Sequence, residues 1–307
     1  MRKYIIKRGI LLIPVIMGVV TFVFLLIHLI PGDPVDMMLG ETARQADREM
    51  LRTRLGLNDP IHLQYYKFIK GVVRGDLGRS IHYNRPVLKI IIDRFPATLK
   101  LTLGAIVIAI LISIPMGIIA AAKQYSIFDN SSMLLALLGI SMPNFWLGPL
   151  LIIVFSIKLG WLPVSGMGGL TYLILPSVTL GTSMAAILSR MTRSSLLEVI
   201  RKDYITTARA KGLSEWVIMV KHALTNALLP IVTIIGLQFG ALLAGSIITE
   251  MIFSWPGIGR LTIQAIITRD YPLVQGCVLF IALCYVMVNL LTDLLYVFID
   301  PRIRLSE

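Results

Sequence analysis

LTLGAIVIAILISIPMGIIAAA, residues 101–122, is an unbroken apolar stretch without a charged side chain. A helix rises about 1.5 Å per residue, so a stretch of this length can cross the roughly 30 Å hydrocarbon core of a bilayer. Lys100 and Lys123 flank it on either side. The stretch therefore predicts a membrane-spanning helix.

Five further apolar blocks are similar in length and composition. Of the 307 residues, 56% are hydrophobic and 15% are charged, whereas soluble domains carry about 25% charged residues. We therefore expect an all-α polytopic membrane protein with six transmembrane helices. Besides Leu101–Ala122, the predicted spans are Gly9–Ile30, Met133–Ile157, Tyr172–Ser189, Ala227–Ile248 and Gly276–Ile299.

Two of these blocks are less regular than the others. Tyr172–Ser189 is the shortest and contains Pro176, so its ends are the least defined. Gly9–Ile30 follows four basic residues, as the apolar part of a signal peptide does. It is longer than such a segment and lacks a small-residue cleavage site, so we expect it to be the first span.

Lysine and arginine in the short loops predict the orientation of the chain. Cytoplasmic loops of membrane proteins carry an excess of these residues. The loop from Arg190 to Lys221 and both termini are basic, whereas the two short loops on the opposite side hold only Lys158, Arg260 and Arg269. We therefore expect both termini and this basic loop in the cytoplasm. The net charge of +12 is spread between apolar blocks, so it predicts no nucleic-acid partner.

The segment 31–98 has helical character outside the membrane. Glu41–Leu55 is polar and helix-prone, and His62–Val73 carries apolar residues at helical spacing. Gly75-Asp76-Leu77-Gly78 predicts a turn. We expect a small helical extracytoplasmic insertion between helices 1 and 2, although a mobile loop is the alternative. Long loops are largely exempt from the charge rule, so the basic residues of this segment do not contradict its position outside.

These features predict four parts of the chain. Residues 1–30 form the N-terminal cytoplasmic end and the first span, and residues 31–98 form the insertion. Residues 99–299 form the membrane core, which includes the cytoplasmic loop 190–226. Residues 300–307 form a cytoplasmic tail.

Breaks inside the spans predict the position of a path through the membrane. Proline in a membrane helix frees a carbonyl group that neighbouring residues must satisfy. Ser141-Met142-Pro143-Asn144 combines such a break with a polar amide. We therefore take Pro143 and Asn144, together with Gln238 of the fifth span, as candidate residues of a translocation path. Ordinary packing irregularity is the alternative.

The remaining polar residues predict neither a metal site nor catalysis. Glu250 and Asp293 lie near the ends of their spans, where a structural salt bridge or cap is the simpler interpretation. The histidines and cysteines share no metal-ligand spacing. These are His28, His62, His82, His222, Cys277 and Cys284.

The stretch RKDYITTARAKGLSEWVIMVKHALTNALLP, residues 201–230, predicts two short helices in the cytoplasmic loop. Asp203 can cap the first helix, and Gly212 can end it in the left-handed conformation. A second helix is predicted after Ser214, with Glu215 at its positive end. Helices this short are marginal alone in water, so the loop must pack against lipid, its own spans or a partner protein.

Part of this loop resembles the EAA loop of ABC-importer permease subunits, namely residues 206–212, TTARAKG, followed by Leu228-Leu229-Pro230. Other motifs resemble, in the same order, the first permease subunit of the dipeptide, oligopeptide, glutathione and nickel importers. They are Tyr4–Pro34, Gly75–Ser80, Trp255–Arg260, Arg269–Pro272 and Asp300–Arg304. Thr206 stands where the general EAA pattern has Glu, Thr207 replaces its first Ala, and the gap from Gly212 to the Leu-Pro pair is longer. These departures are similar to the peptide and nickel branch.

The resemblance implies a type I ABC-importer permease subunit in a bacterial inner membrane. It implies three kinds of partner besides membrane lipid: a second homologous permease subunit, two cytoplasmic ATP-binding subunits and an extracytoplasmic substrate-binding protein. ATP and Mg would be bound by the ATP-binding subunits, and this chain would need no cofactor. The family's loop forms a coupling helix that docks on an ATP-binding subunit, which assigns coupling to Asp203, Thr206, Thr207, Ala208, Ala210 and Gly212.

The residues also weigh against other classes of protein. The chain lacks a G-x-x-x-x-G-K-[ST] phosphate loop and a nucleophile–base pair, so we expect no enzyme. A stand-alone secondary transporter or channel is the main alternative, but it would typically show repeats or mid-membrane ionisable residues. Residues 237–240, LQFG, resemble the glutathione and dipeptide permeases, and residues 141–146, SMPNFW, resemble the nickel type. We favour short peptides as substrate, with nickel or a metal chelate as the alternative.

Overall fold

The computed structural model describes residues 2–29, 35, 39, 44–55 and 57–299, and its regular structure there is helical. Two π-helical segments, Ile152–Lys158 and Ile218–Ala223, interrupt the α-helices. The α-helices are α1 (Arg2–Leu29), α2 (Gln45–Leu55), α3 (Ile61–Val73), α4 (Val87–Ala122), α5 (Ile127–Ser141), α6 (Asn144–Leu151), α7 (Leu170–Ile200), α8 (Asp203–Ala210), α9 (Glu215–Val217), α10 (Leu224–Gly245), α11 (Ile247–Ile252), α12 (Ile258–Ile267) and α13 (Tyr271–Ile299).

Length and composition identify the helices that can cross a membrane. Four described helical stretches qualify: α4, α7, the continuous run Glu215–Leu243 and the part of α13 up to Leu294. The bent pair of α5 and α6 with its π-helical extension adds a fifth if it counts as one span. The first predicted span falls on α1, whose apolar part Ile10–Leu25 is shorter than the roughly 20 residues of a typical span. The all-α polytopic fold is confirmed, and the count of six spans stays a prediction.

The third predicted span, Met133–Ile157, is not one straight helix. It is divided between α5 and α6, which are bent by 103° at the break. Met142 is extended there, with φ −82° and ψ 115°, because the ring of Pro143 disfavours a helical conformation in the residue before it. Pro143 then precedes the first residue of α6. The single helix expected from hydropathy is therefore replaced by a sharp corner.

The fourth predicted span proves longer than its apolar stretch. Tyr172–Ser189 was expected, whereas α7 runs from Leu170 to Ile200 and half of its apolar window is buried. This helix packs on α5, α6, α10 and α11. Its low hydropathy follows from that central position, since it is covered by protein and carries many small polar residues.

The described residues separate into two compact units. Residues 98–256 and 287–299 belong to the first, which contains the cores around α7. Residues 2–97 and 257–286 belong to the second. The predicted four-part division of the chain stays a prediction.

The second unit contains the helices expected in the segment 31–98. The predicted polar helix over Glu41–Leu55 appears as α2, and the predicted His62–Val73 helix appears as α3; residues 41–43 lie outside the described residues. Phe68 and Val72 of α3 pack against a cluster that contains Val20 of α1. The helical character of this segment is confirmed where it is described, whereas its position outside the cell stays a prediction.

Candidate functional site

Helix α8 in the basic loop has one buried face and one exposed face. Ile205 is fully buried and Ala208 is 8% exposed. Both pack in a cluster with Leu196 of α7, Ile218 of the π-helical segment and other apolar residues of the first unit. The loop therefore packs on the protein's own spans, which was one of the three possibilities left open by the sequence.

The two ends of α8 differ in how well the sequence predicted them. Asp203 was expected to cap the helix, but it is the first helical residue, and Lys202 occupies the cap position without a side-chain hydrogen bond. A carboxylate in the first turn still complements the helix dipole. Gly212 has φ +79°, so the predicted left-handed stop is confirmed.

An ion pair closes the turn around Gly212. Arg209 donates from Nε to Glu215 Oε1 at 2.7 Å and from Nη2 to Glu215 Oε2 at 3.2 Å. The hydrogen bonds to Glu215 raise the pKa of the Arg209 guanidinium above its ordinary value. The pair links α8 to α9 across the turn and holds the two short helices in a fixed relation.

A continuous helical run then joins the loop to a membrane span. The π-helical segment Ile218–Ala223 begins directly after α9 and leads into α10 without a break. Ile218, Met219 and Ala223 are buried in the cluster that also contains Ile205. A π-helical turn often marks a functional site, and here it connects α8 to a span through packed side chains.

The exposed face of α8 contains most of the predicted coupling residues. Ala208 instead lies in the protein's own core, where its small side chain lets α8 pack closely. The coupling role of the set stays a prediction. The exposed members are Asp203, Thr206, Thr207, Ala210 and Gly212.

The predicted path residues lie in two places in the first unit. Pro143 and Asn144 are at the corner between α5 and α6, whereas Gln238 is in α10 and partly exposed. Helices α6 and α10 both pack on α7. Among the described residues, no core cluster brings Gln238 together with the corner, so their common role in a path stays a prediction.

Glu250 is a buried carboxylate in α11. It is 0% exposed, and its Oε1 accepts hydrogen bonds from Thr98 Oγ1 and Ser246 Oγ, each at 2.8 Å. These bonds tie α4 to the junction of α10 and α11. Among the described residues, no group of three or more His, Cys, Asp or Glu lies close enough together to hold a metal ion.

A second buried carboxylate besides Glu250 lies in the first unit, and the sequence did not predict it. Asp129 of α5 is 2% exposed and forms a two-point ion pair with Arg193 of α7, at 2.6 Å to Nε and 2.7 Å to Nη2. Arg193 lies three residues before Leu196, which packs on α8. Their separation in the chain leaves no local pattern, so only the lone acidic residue at the start of an apolar block could have drawn attention.

Comparisons with known proteins agree with this arrangement. The family described as "Binding-protein-dependent transport system inner membrane component" matches residues 113–305, and the family of the corresponding N-terminal part matches residues 1–102. A dipeptide transport system permease protein, DppB of Alkalihalophilus pseudofirmus, is 45% identical over 99% of this chain and 100% of its own length. A glutathione transport system permease protein, GsiC of Escherichia coli, is 46% identical over 99% of both chains.

Solved structures share the fold at low sequence identity. A chain of the inward-facing MetNI methionine ABC transporter aligns with a TM-score of 0.57 at 20% identity, over 69% of this chain and 96% of its own. A second crystal form gives a TM-score of 0.56 at 17% identity. At these identities the likeness concerns the fold alone.

Proposed function

The chain belongs to the binding-protein-dependent transport system inner membrane components, and we propose that it is the permease half of an ATP-driven importer of short peptides. In this proposal it pairs with a second, similar permease subunit to surround the path. Two ATP-binding subunits dock in the cytoplasm, and an extracytoplasmic binding protein delivers the substrate. The observation that carries the proposal is the exposed face of α8, which is fixed to the spans by Ile205 and Ala208.

The packing of α8 supports a mechanism in which force passes into the spans. When the ATP-binding subunits close on ATP, they displace the docked α8. The buried face of α8 lies in one core cluster with Leu196 of α7 and Ile218 of the π-helical segment, so the displacement reaches α7 and α10 through packed side chains. Rigid-body movement of these helices then switches the path between inward- and outward-facing states.

Short peptides are the proposed substrate because the relatives named above are dipeptide and glutathione permeases that match this chain over nearly its whole length. The proposed orientation places both termini and α8 in the cytoplasm, which agrees with the basic loop. Ligand measurements on the binding protein of the same transporter decide the substrate. Binding of a dipeptide or glutathione supports the proposal, and binding of nickel alone contradicts it.

An Ala210→Glu variant tests the docking face. Ala210 is exposed on α8, so the substitution leaves the core intact while it places a bulky charge where the ATP-binding subunit would dock. We expect peptide uptake into proteoliposomes to fall roughly tenfold or more, as for a substitution at the centre of an interface. Assembly of the chain in the membrane should be unaffected.

The matched control is Ala122→Glu, at another exposed alanine at the end of α4. This variant should retain uptake and should co-purify with the ATP-binding subunits. Full uptake by the Ala210→Glu variant would contradict the proposed coupling role of α8.

A further inference from the structure

Two loops of the second unit are joined by one buried carboxylate. Asp270 is 1% exposed and accepts hydrogen bonds from the Ser80 hydroxyl and from the His82 amide, the latter at 3.1 Å. Its other oxygen accepts the Leu273 amide at 3.3 Å and so caps α13. The segment between α3 and α4 is thus bonded to the first turn of α13.

The segment 79–86 is a tight loop with a defined shape. The Ser80 amide donates to the Arg85 carbonyl at 2.9 Å, and Arg79 and Pro86 form an isolated antiparallel bridge. The Ser80 hydroxyl oxygen also accepts the Tyr83 amide at 2.9 Å. Three kinds of contact therefore fix the loop: the bridge, the internal hydrogen bonds and Asp270.

The tip of this loop points away from the core. Ile81 is 41% exposed and Tyr83 is 38% exposed, and His82 stacks edge-on against the Tyr83 ring. Asn84 at the tip and Arg269 beside the anchor both have positive φ, at 50° and 54°. Non-glycine residues in this conformation cost energy, persist where surrounding contacts hold them, and cluster at functional sites.

We propose that this Asp270-anchored loop, residues 79–86, is a docking surface for the binding protein that delivers substrate. The inference rests on the proposed function and its orientation, which place the loop outside the cell. A rigid loop with exposed aromatic and aliphatic side chains loses little conformational entropy on binding, so it suits protein recognition. The family's dependence on a binding protein supplies a partner for a surface of this kind.

The charge around the loop defines the partner surface further. Arg74, Arg79 and Lys89 are exposed on and beside it, as is Asp76, and Arg85 is paired with Asp93 in an exposed salt bridge. The exposed charges on and beside the loop are therefore mainly basic. The complementary surface of the binding protein is expected to be acidic, and increasing ionic strength should weaken docking.

The position of Asp270 connects the docking loop directly to a spanning helix. Asp270 immediately precedes α13, so the loop and the start of that spanning helix share one carboxylate. A force on the loop acts on α13 without an intervening flexible segment.

The test uses the complete transporter in nanodiscs and its separately purified, dipeptide-loaded binding protein. ATPase activity is measured as the concentration of the binding protein is raised. The double variant Ile81→Asp with Tyr83→Asp should raise the half-stimulating concentration roughly tenfold or more, while basal ATPase activity stays unchanged. Ser80→Ala removes the hydroxyl that bonds Asp270 and should shift the half-stimulating concentration in the same direction by less.

The control variant is Met50→Asp on α2, a 69% exposed apolar residue of the same insertion, which should behave like the wild type. Unchanged half-stimulation in the double variant would overturn the docking surface, as would an effect seen only in nanodiscs with anionic lipid, which indicates a lipid contact. A wild-type complex that the binding protein does not stimulate would overturn the proposed function itself.

Discussion

Asp129 is a buried charge in the first unit, and its ion pair with Arg193 joins α5 to α7. Its two carboxylate oxygens accept hydrogen bonds from Nε and Nη2 of Arg193. The oxygen that bonds Nη2 also accepts a hydrogen bond from the Tyr125 amide at 2.9 Å. Two-point ion pairs of this kind are stronger and more directional than single contacts. The pair fastens α5 to α7 one turn before Leu196 contacts α8.

Replacing Arg193 with Met leaves the Asp129 carboxylate buried without its cation. We expect the transporter to lose about 3 kcal/mol of stability, because breaking a buried ion pair leaves an uncompensated charge. Thermal unfolding in detergent measures the loss. Arg209→Met is the matched control, since its pair with Glu215 has exposed side chains at 42% and 65% and should contribute about 1 kcal/mol or less. Equal effects of the two substitutions would contradict this account.

The residues differ in how far the sequence could predict them. Gly212 was predictable because a left-handed stop favours one residue type at one position. The Asp129–Arg193 and Ser80–Asp270 pairs join residues far apart in the chain, so no local pattern could reveal them. Asp203 fits the cap pattern, yet the helix starts at Asp203 itself and Lys202 occupies the cap position.

At the scale of elements, α4 and α7 approach each other closely at two glycines. A Cβ atom at Gly181 would lie 2.7 Å from the Ala105 carbonyl oxygen, and one at Gly117 would lie 2.5 Å from Thr192 Cβ. Glycine at these positions lets the two backbones approach as membrane helices with small residues do.

Gly181→Ala should therefore destabilise the protein. The new methyl group would meet backbone, which cannot move as a side chain can, and overpacking of this kind costs about 1–3 kcal/mol. Thermal unfolding in detergent is again the measurement. Gly18→Ala in α1 is the control, because nothing lies within 4 Å of a Cβ added there. A Gly181→Ala variant as stable as Gly18→Ala would show that the two helices are not held this closely.

Hydropathy predicted the elements better than their ends. It found the apolar centre of α4, but the helix starts at Val87, well before the predicted Leu101. It also placed the start of the last span at Gly276, whereas α13 begins at Tyr271. Helices continue beyond the apolar stretch wherever packing and capping support them, as Asp270 does for α13. The corner at Pro143 was foreseen as a break, but its angle depends on packing.

At the scale of the whole molecule, the protein is a helical membrane protein in which α8 packs on the first unit with one face and is exposed on the other. The helices and the family were predictable because apolar blocks and several motifs in fixed order are features of the sequence itself. The side on which each terminus lies, the number of spans and the lining of the path were less accessible, because they depend on the membrane and on a second subunit.

The proposed function requires that this chain moves its substrate only as part of an ATP-driven complex. The most direct measurement is uptake of a labelled dipeptide into proteoliposomes that contain both permease subunits and the ATP-binding subunits, with the binding protein added on one side. We predict uptake that requires both ATP and the binding protein and that disappears when either is omitted. Uptake by this chain alone, driven by an ion gradient without ATP, would contradict the account.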